Sequence, residues 1–315
     1  MNNHAPKNSA TLIGVPINVG ANNLGVDFGP NAYRYQNIIP KLASAGIQTT
    51  DAGNIFCEER WKVDVGQNPK LRYVKEVVRI ANDTAKLVQE TIAQGNTPIV
   101  VGGDHTTCLG AVSGASVAVK GNIGLIYFDA HGDMNTDQTT PSGNIHGMQL
   151  ASLMGFGAHE LTSVHADTIK VAKENMLHIG GCDFDQTELD LVARQKLNTF
   201  SMQDLMNHGM APLFPMIDAL AKQVEHVWIS LDLDSIDATY APGAGMPNKK
   251  GLLYREVLAM AQYIGKHCNV LGLDVVEYNP LQDPDKKTAD LATELIAALL
   301  GREYSWYSNY LSRNA

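Results

Sequence analysis

Residues 122–136 read NIGLIYFDAHGDMNT. The first seven, Asn122 to Phe128, are apolar on both alternating faces. That is the signature of a strand buried from both sides, as in a parallel sheet covered by helices. The run then meets Asp129, His131 and Asp133, three metal-type ligands spaced by two. If the extended backbone continues, all three project to one side.

Similar runs recur along the chain: Thr11 to Val15, Thr97 to Val101, Met176 to Gly180, Val227 to Leu233 and Asn269 to Val276. Between them lie segments with helical spacing of apolar residues: Asn31 to Ala45, Lys70 to Gln94, Leu213 to Val224, Tyr254 to Lys266 and Thr288 to Leu300. Alternation over the whole length predicts one α/β domain, residues 1–315, around a mostly parallel sheet. No linker, repeat or low-complexity segment interrupts it. Two turn-rich loops stand out, Asn18 to Pro30 and Asp137 to Gly147, and long loops in compact domains are often functional. Ligands of open parallel sheets gather beyond the carboxyl ends of the strands, where Asp129 to Asp133 fall.

A formal net charge of −9 argues against nucleic acid or an anionic membrane surface as partner. No apolar run approaches the roughly 20 residues that cross a bilayer, and the N-terminus MNNHAPKNSA has no apolar core of a secretory signal. The four cysteines form no CxxC pair, so neither a disulfide framework nor a zinc ribbon is expected. A cytoplasmic protein follows.

The ligand pattern repeats. Val227 to Asp234 reads VWISLDLD and ends in Asp232 and Asp234, again two apart. Thr97 to His105 runs into GGDH, placing His105 near a helix start, with Gly102 and Gly103 free to turn sharply. Three strand ends thus deliver His105, Asp129, His131, Asp133, Asp232 and Asp234. The bland alternative for Asp129 to Asp133 alone is a solvated acidic loop. Four neighbouring carboxylates cannot all stay ionised without compensation, and these motifs hold no Lys or Arg. Two divalent cations would balance them. Carboxylate and imidazole without thiolate favour Mn²⁺, with Fe²⁺, Co²⁺ or Ni²⁺ as alternatives. Paired metals can lower the pKa of a shared water enough to supply hydroxide near neutrality, so the expected chemistry is hydrolysis. A dimetal phosphatase would share the ligands, but no phosphate-cradling loop or basic cluster accompanies them.

In order along the chain, IGVPINVGANNLGVDFGPNAYR, GGDH, DAHGDMNT, SGNIHGMQLASLMG, SLDLDSIDATYAPGAGMP, GLLYREVL and GLDVVEYNP resemble the ureohydrolase family, and within it the arginase branch. The resemblance implies a three-layer αβα sandwich and a binuclear Mn²⁺ centre. One ion would take His105 and Asp133, the other His131 and Asp234, with Asp129 and Asp232 bridging. It implies hydrolysis of L-arginine to L-ornithine and urea by attack of the bridging hydroxide, held by Asp133, on the guanidinium carbon. Glu277 matches the acid that pairs with the guanidinium, a role suited to charge-assisted hydrogen bonds; otherwise it is a carboxylate at a strand end. His146 matches a proton shuttle to the leaving amine; otherwise it packs its loop. Asn135, Ser142 and Asn144 match positions that hold the substrate α-carboxylate, and Asp183, Asp185 and Glu188 fall where the α-amino contacts lie. Asp185 and Glu188 also read as a helix capping pair. His178, His208, His226 and His267 match no motif.

Three departures bear on the substrate. Met246 stands in the GAGMP turn where the family usually has the threonine that supports the glutamate, and a thioether cannot donate a hydrogen bond. Lys249 and Lys250 follow where arginases often carry Gly-Gly. Cys182 stands where animal-type arginases carry arginine. Agmatine, other guanidino compounds, formiminoglutamate and a catalytically silent metal-binding homologue are therefore the alternatives. The family resemblance also implies a homo-oligomer, trimer or hexamer, and the aromatic tail (Tyr304, Trp306, Tyr307, Tyr310) suits an interface.

Overall fold

The computed structural model describes residues 4–302; the aromatic tail from Tyr304 to Tyr310 lies outside the described residues. The strands are β1 (Ser9–Val15), β2 (Gln48–Asn54), β3 (Thr97–Gly102), β4 (Ile123–Phe128), β5 (Met176–Ile179), β6 (Asn198–Phe200), β7 (His226–Asp232) and β8 (Val270–Val276). They form one sheet in the order β2-β1-β3-β8-β7-β4-β5-β6, and every pairing is parallel. Helices α1 (Gly29–Tyr35), α2 (Ile38–Ser44), α3 (Val74–Ala93), α4 (Thr107–Ala118), α5 (Gln149–Leu153), α6 (His159–Thr162), α7 (Gln186–Gln195), α8 (Met202–His208), α9 (Leu213–Gln223), α10 (Tyr254–His267) and α11 (Lys287–Leu299) complete the chain.

Side-chain alternation along the central strands feeds two cores. Ile126, Phe128, Ile229, Leu231, Leu273 and Val275 pack with residues of α1, α2 and α8 to α11 on one face. Leu125, Tyr127 and Trp228 pack with residues of α3 to α7 on the other. The result is the expected three-layer αβα arrangement. Two strands were not expected, β2 and β6. Both are edges, and β2 is polar and largely exposed. The expected helix from Asn31 to Ala45 is two helices, because Asn37 takes a left-handed conformation (φ 62°) between them.

β3 and β4 are consecutive in sequence yet separated in the sheet by β8 and β7. Connections therefore diverge there, which opens a crevice at the carboxyl ends of β3, β8, β7 and β4. The turn after β3 is pinned to β1 and its extension by Gly103 N to Val15 O (2.7 Å) and Asp104 N to Ile17 O (2.8 Å). A Cβ at Gly103 would lie 1.9 Å from the Ile17 carbonyl oxygen, so only glycine fits. Asp104 then accepts from Gly20 N (2.8 Å) and Ala21 N (3.2 Å), fixing the Asn18–Pro30 loop over the crevice. Buried α4 crosses α3 closely; a Cβ at Gly114 would meet the Ala85 carbonyl oxygen at 2.2 Å.

Candidate metal centre

Four elements supply the crevice. His105 comes from the turn before α4, Asp129, His131 and Asp133 from the segment after β4, Asp232 and Asp234 from the end of β7, and Glu277 from just beyond β8. All six proposed ligands converge. His105 Nδ1 lies 2.9 Å from Asp129 Oδ2, 3.2 Å from Asp133 Oδ2 and 3.1 Å from Asp232 Oδ2. His131 Nδ1 lies 3.4 Å from Asp129 Oδ1 and 3.1 Å from Asp234 Oδ2. Asp129 thus faces both imidazoles with different oxygens, the disposition of a bridging carboxylate. His105, Asp129 and Asp232 form one group of mutually close ligand atoms, and Asp129, His131 and Asp234 form a second.

Extended geometry does not produce this convergence. β4 ends at Phe128, and Asp133 sits at φ 52°. Glu277 likewise sits at φ 63°. Non-glycine residues in the left-handed region cost on the order of 1 kcal/mol or more and cluster at functional sites.

The electrostatics identify what the centre demands. Burial, then the charges of Asp133 and Asp234, push the Asp129 carboxyl up to about 7. Burial and the charges of Asp234 and Asp129 push Asp232 well up. Glu277 is raised by burial and by Asp104 and Asp234. Burial opposes protonation of His131, but hydrogen bonds to Asp129 and Asp234 outweigh it. Burial likewise works against the Asp133 anion, yet the hydrogen bond and charge of His105 hold its pKa down. No lysine or arginine pairs with these acids among the described residues. Asp129 Oδ2 is buried and receives no hydrogen bond. A buried excess of carboxylates with imidazole Nδ1 atoms among them fits a pair of divalent cations held by N and O donors. The neighbouring group of His105, Cys108 and Asp274 does not fit. Burial pushes the Cys108 thiol up to about 12, and both Asp274 oxygens are engaged elsewhere.

Those engagements form a layer of support beneath the ligands that sequence reading missed. Asp274 Oδ1 accepts from Trp228 Nε1 (2.6 Å), and Oδ2 accepts from Ser230 Oγ (2.6 Å). Since Ser230 spends its proton on Asp274, its oxygen accepts from His105 Nε2 (2.9 Å). This keeps a proton on Nε2, so the proton His105 gives up to serve as a metal ligand is the one on Nδ1, the atom that faces the carboxylates. Asp133 Oδ2 accepts from Tyr127 Oη (2.7 Å) and Gln149 Nε2 (2.5 Å). His178 Nε2 donates to the His131 carbonyl (2.7 Å), so this histidine has a bracing role. One signal was available in the sequence: Asp274 is a lone acid inside the apolar run NVLGLDVV.

Glu277 Oε1 accepts from His105 N (3.0 Å), and Glu277 N donates to Gly103 O (2.8 Å), which fixes the carboxylate beside the ligands. His146 lies in the 3-10 turn Ile145–Gly147; its N–H donates to Gly20 O (3.1 Å), and its charge helps hold Asp133 down. A mouth of about 320 Å³ opens beside half-buried His131, lined also by Cys182, Asp183, Met246 and Lys250.

The rim residues are positioned unequally. Asn135 Nδ2 donates to Asp185 Oδ2 (2.7 Å). Asn144 Oδ1 accepts from Arg72 Nη1 (3.1 Å), and exposed Ser142 accepts from Asn144 N (3.2 Å). Asp185 caps α7 in a reciprocal box with Glu188. Glu188 is buried, with its oxygens on Met134 N (3.1 Å) and Asp185 N (3.0 Å). It therefore braces the ligand segment against α7, and burial pushes it up to about 7. Asp183 is exposed at the mouth.

Residues 8–301 match the Arginase family. An arginase of Brevibacillus brevis is 38% identical, over 92% of this chain and 97% of its own. The crystal structure of arginase from Bacillus cereus superposes with TM-score 0.88 at 35% identity, over 95% of this chain and all of that one. The native arginase structure from Bacillus caldovelox matches with TM-score 0.88 at 34% identity, over 94% of this chain and 98% of that one.

Proposed function

Because the chain belongs to the arginase family, we propose that it hydrolyses L-arginine to L-ornithine and urea. The single observation that carries this is the convergence of six nitrogen and oxygen ligands in one crevice, with Asp129 between His105 and His131. His105 and Asp133 would hold one Mn²⁺ ion, His131 and Asp234 the other, and Asp129 and Asp232 both. Two divalent ions held there would supply a water of lowered pKa, nucleophilic near neutrality.

The chain's own residues do the rest. Asp133, with Oδ2 pinned by Tyr127 and Gln149, would keep its other oxygen free to orient the attacking water. Glu277 holds the planar guanidinium by charge-assisted hydrogen bonds, and His105 N fixes its orientation. A guanidinium carbon is a poor electrophile, so this alignment supplies much of the rate. His146 passes a proton to the departing amine nitrogen. Asn135, Ser142 and Asn144 receive the α-carboxylate. Asp183 and Asp185 receive the α-amino group, with Glu188 holding Asp185 in place. The protein works as a homo-oligomer, trimer or hexamer, in the cytoplasm; no described helix is long and apolar enough to cross a membrane.

The alternative of another guanidino substrate rests on Met246, which lines the mouth. A panel of arginine, agmatine, 4-guanidinobutyrate and formiminoglutamate with manganese-loaded protein decides. We expect arginine to lead in kcat/KM by about 100-fold or more, the scale at which buried polar groups discriminate. Preference for any other member overturns the assignment, and turnover of none favours a silent metal-binding homologue.

A further inference from the structure

Beside the mouth lies a second cavity of about 780 Å³, which the reaction does not use. Its walls are Phe184 just ahead of α7, Leu189 and Val192 from α7, and Met202 and Met206 from α8. Leu189 is 46% exposed and Met206 69%, so apolar surface is left open to solvent. Its edge carries Lys249 and Lys250, both exposed, and neither forms an ion pair among the described residues. No aspartate or glutamate lines the cavity. In a chain of net charge −9, an apolar chamber edged by two unpaired ammonium groups and no acid selects for an anion with an apolar body.

The floor is His178. Its Nε2 donates to the carbonyl of His131, and its Nδ1 is buried without a partner. The cavity also shares Cys182 and Lys250 with the substrate mouth. It is nevertheless no extension of the substrate site. A guanidinium would meet lysines there instead of carboxylates, with only neutral acceptors, His178 Nδ1, Thr199, Ser201 and Gln203, to receive its donors and no anion to balance its charge.

We propose that this cavity binds an amphipathic monocarboxylate, its apolar body between α7 and α8 and its carboxylate at Lys249 and Lys250. This is a second ligand site, beyond arginine hydrolysis and independent of which guanidino compound is the substrate.

The test uses 3-phenylpropionate as probe and phenethylamine as its charge-reversed match, titrated calorimetrically into manganese-loaded protein saturated with L-ornithine. The carboxylate binds and the amine does not. Lys249→Glu, an exposed position, weakens the carboxylate by about ten-fold, as expected for reversing one charge at a solvent-facing contact. Val192→Trp fills the cavity and abolishes binding while arginine turnover is unchanged. The proposal is overturned if the wild-type protein fails to bind the probe, if the amine binds as tightly, if ornithine displaces the probe, or if Lys249→Glu binds like wild type. It is also overturned if Val192→Trp changes the assembly mass by light scattering, since a second chain would then be the occupant.

Discussion

Replacing Asp274 with asparagine separates the two halves of the centre without touching a ligand. The carboxylate accepts two hydrogen bonds of 2.6 Å, from Trp228 Nε1 and Ser230 Oγ. An asparagine offers one acceptor and one donor, and the indole N–H can only donate. The amide oxygen must therefore stay on Trp228, and the amide NH₂ must face Ser230. Ser230 then accepts and turns its own proton toward His105 Nε2. The imidazole shifts its proton to Nδ1, the atom that faces Asp129, Asp133 and Asp232. One charge-assisted hydrogen bond is lost and a ligand tautomer is disfavoured, at about 1.5–3 kcal/mol, or roughly 10–100-fold in metal affinity. The His131 half meets this relay only through the shared carboxylates Asp129 and Asp232. Titration of metal-free protein with Mn²⁺ by calorimetry should show one binding step weakened by that factor and the other by much less. Two unmoved steps, or two weakened equally, would refute the relay.

Four further outcomes follow from the same geometry. Glu277→Gln should cut kcat/KM for arginine by about 100-fold or more, since a charged partner of the guanidinium is lost, with Mn²⁺ stoichiometry by calorimetry unchanged. Tyr127→Phe and Gln149→Leu each remove one donor from Asp133 Oδ2; each should lower kcat by about ten-fold, with KM steady. Gly103→Ala forces a Cβ to 1.9 Å from Ile17 O and should lower Tm by several degrees in calorimetry, at a cost of about 2 kcal/mol or more. In metal-free protein, the raised carboxyls of Asp129, Asp232 and Glu277 contribute stability that is full below about 4, the ordinary carboxyl range. That stability is lost as pH rises through about 7, where Asp129 ionises. Thermal melts should therefore fall across that window without manganese and flatten with it.

The meeting of the six proposed ligands was legible because each ends or follows an apolar strand, and strand ends of one parallel sheet meet. The central strands were legible for the same reason. β2 was not, because an exposed edge strand such as QTTDAGN lacks the apolar run that marks buried strands. α4 was seen only as a helix start at GGDH, because a helix buried on nearly all sides has no amphipathic stripe to follow. The break at Asn37 needed a backbone angle that composition does not carry. The relay from Asp274 through Ser230 to His105 joins positions 44 and 125 residues apart, the first brought together by the pairing of β7 with β8. Glu188 illustrates a mixed case: its capping role was visible from Asp185 three residues earlier, while its grip on Met134 N was not.

The most direct check on the whole account is anomalous diffraction from crystals of this protein grown with manganese. Two peaks per chain should appear, one against His105 and Asp133 and one against His131 and Asp234, with Asp129 touching both. A single peak, or none at saturating manganese, would contradict it.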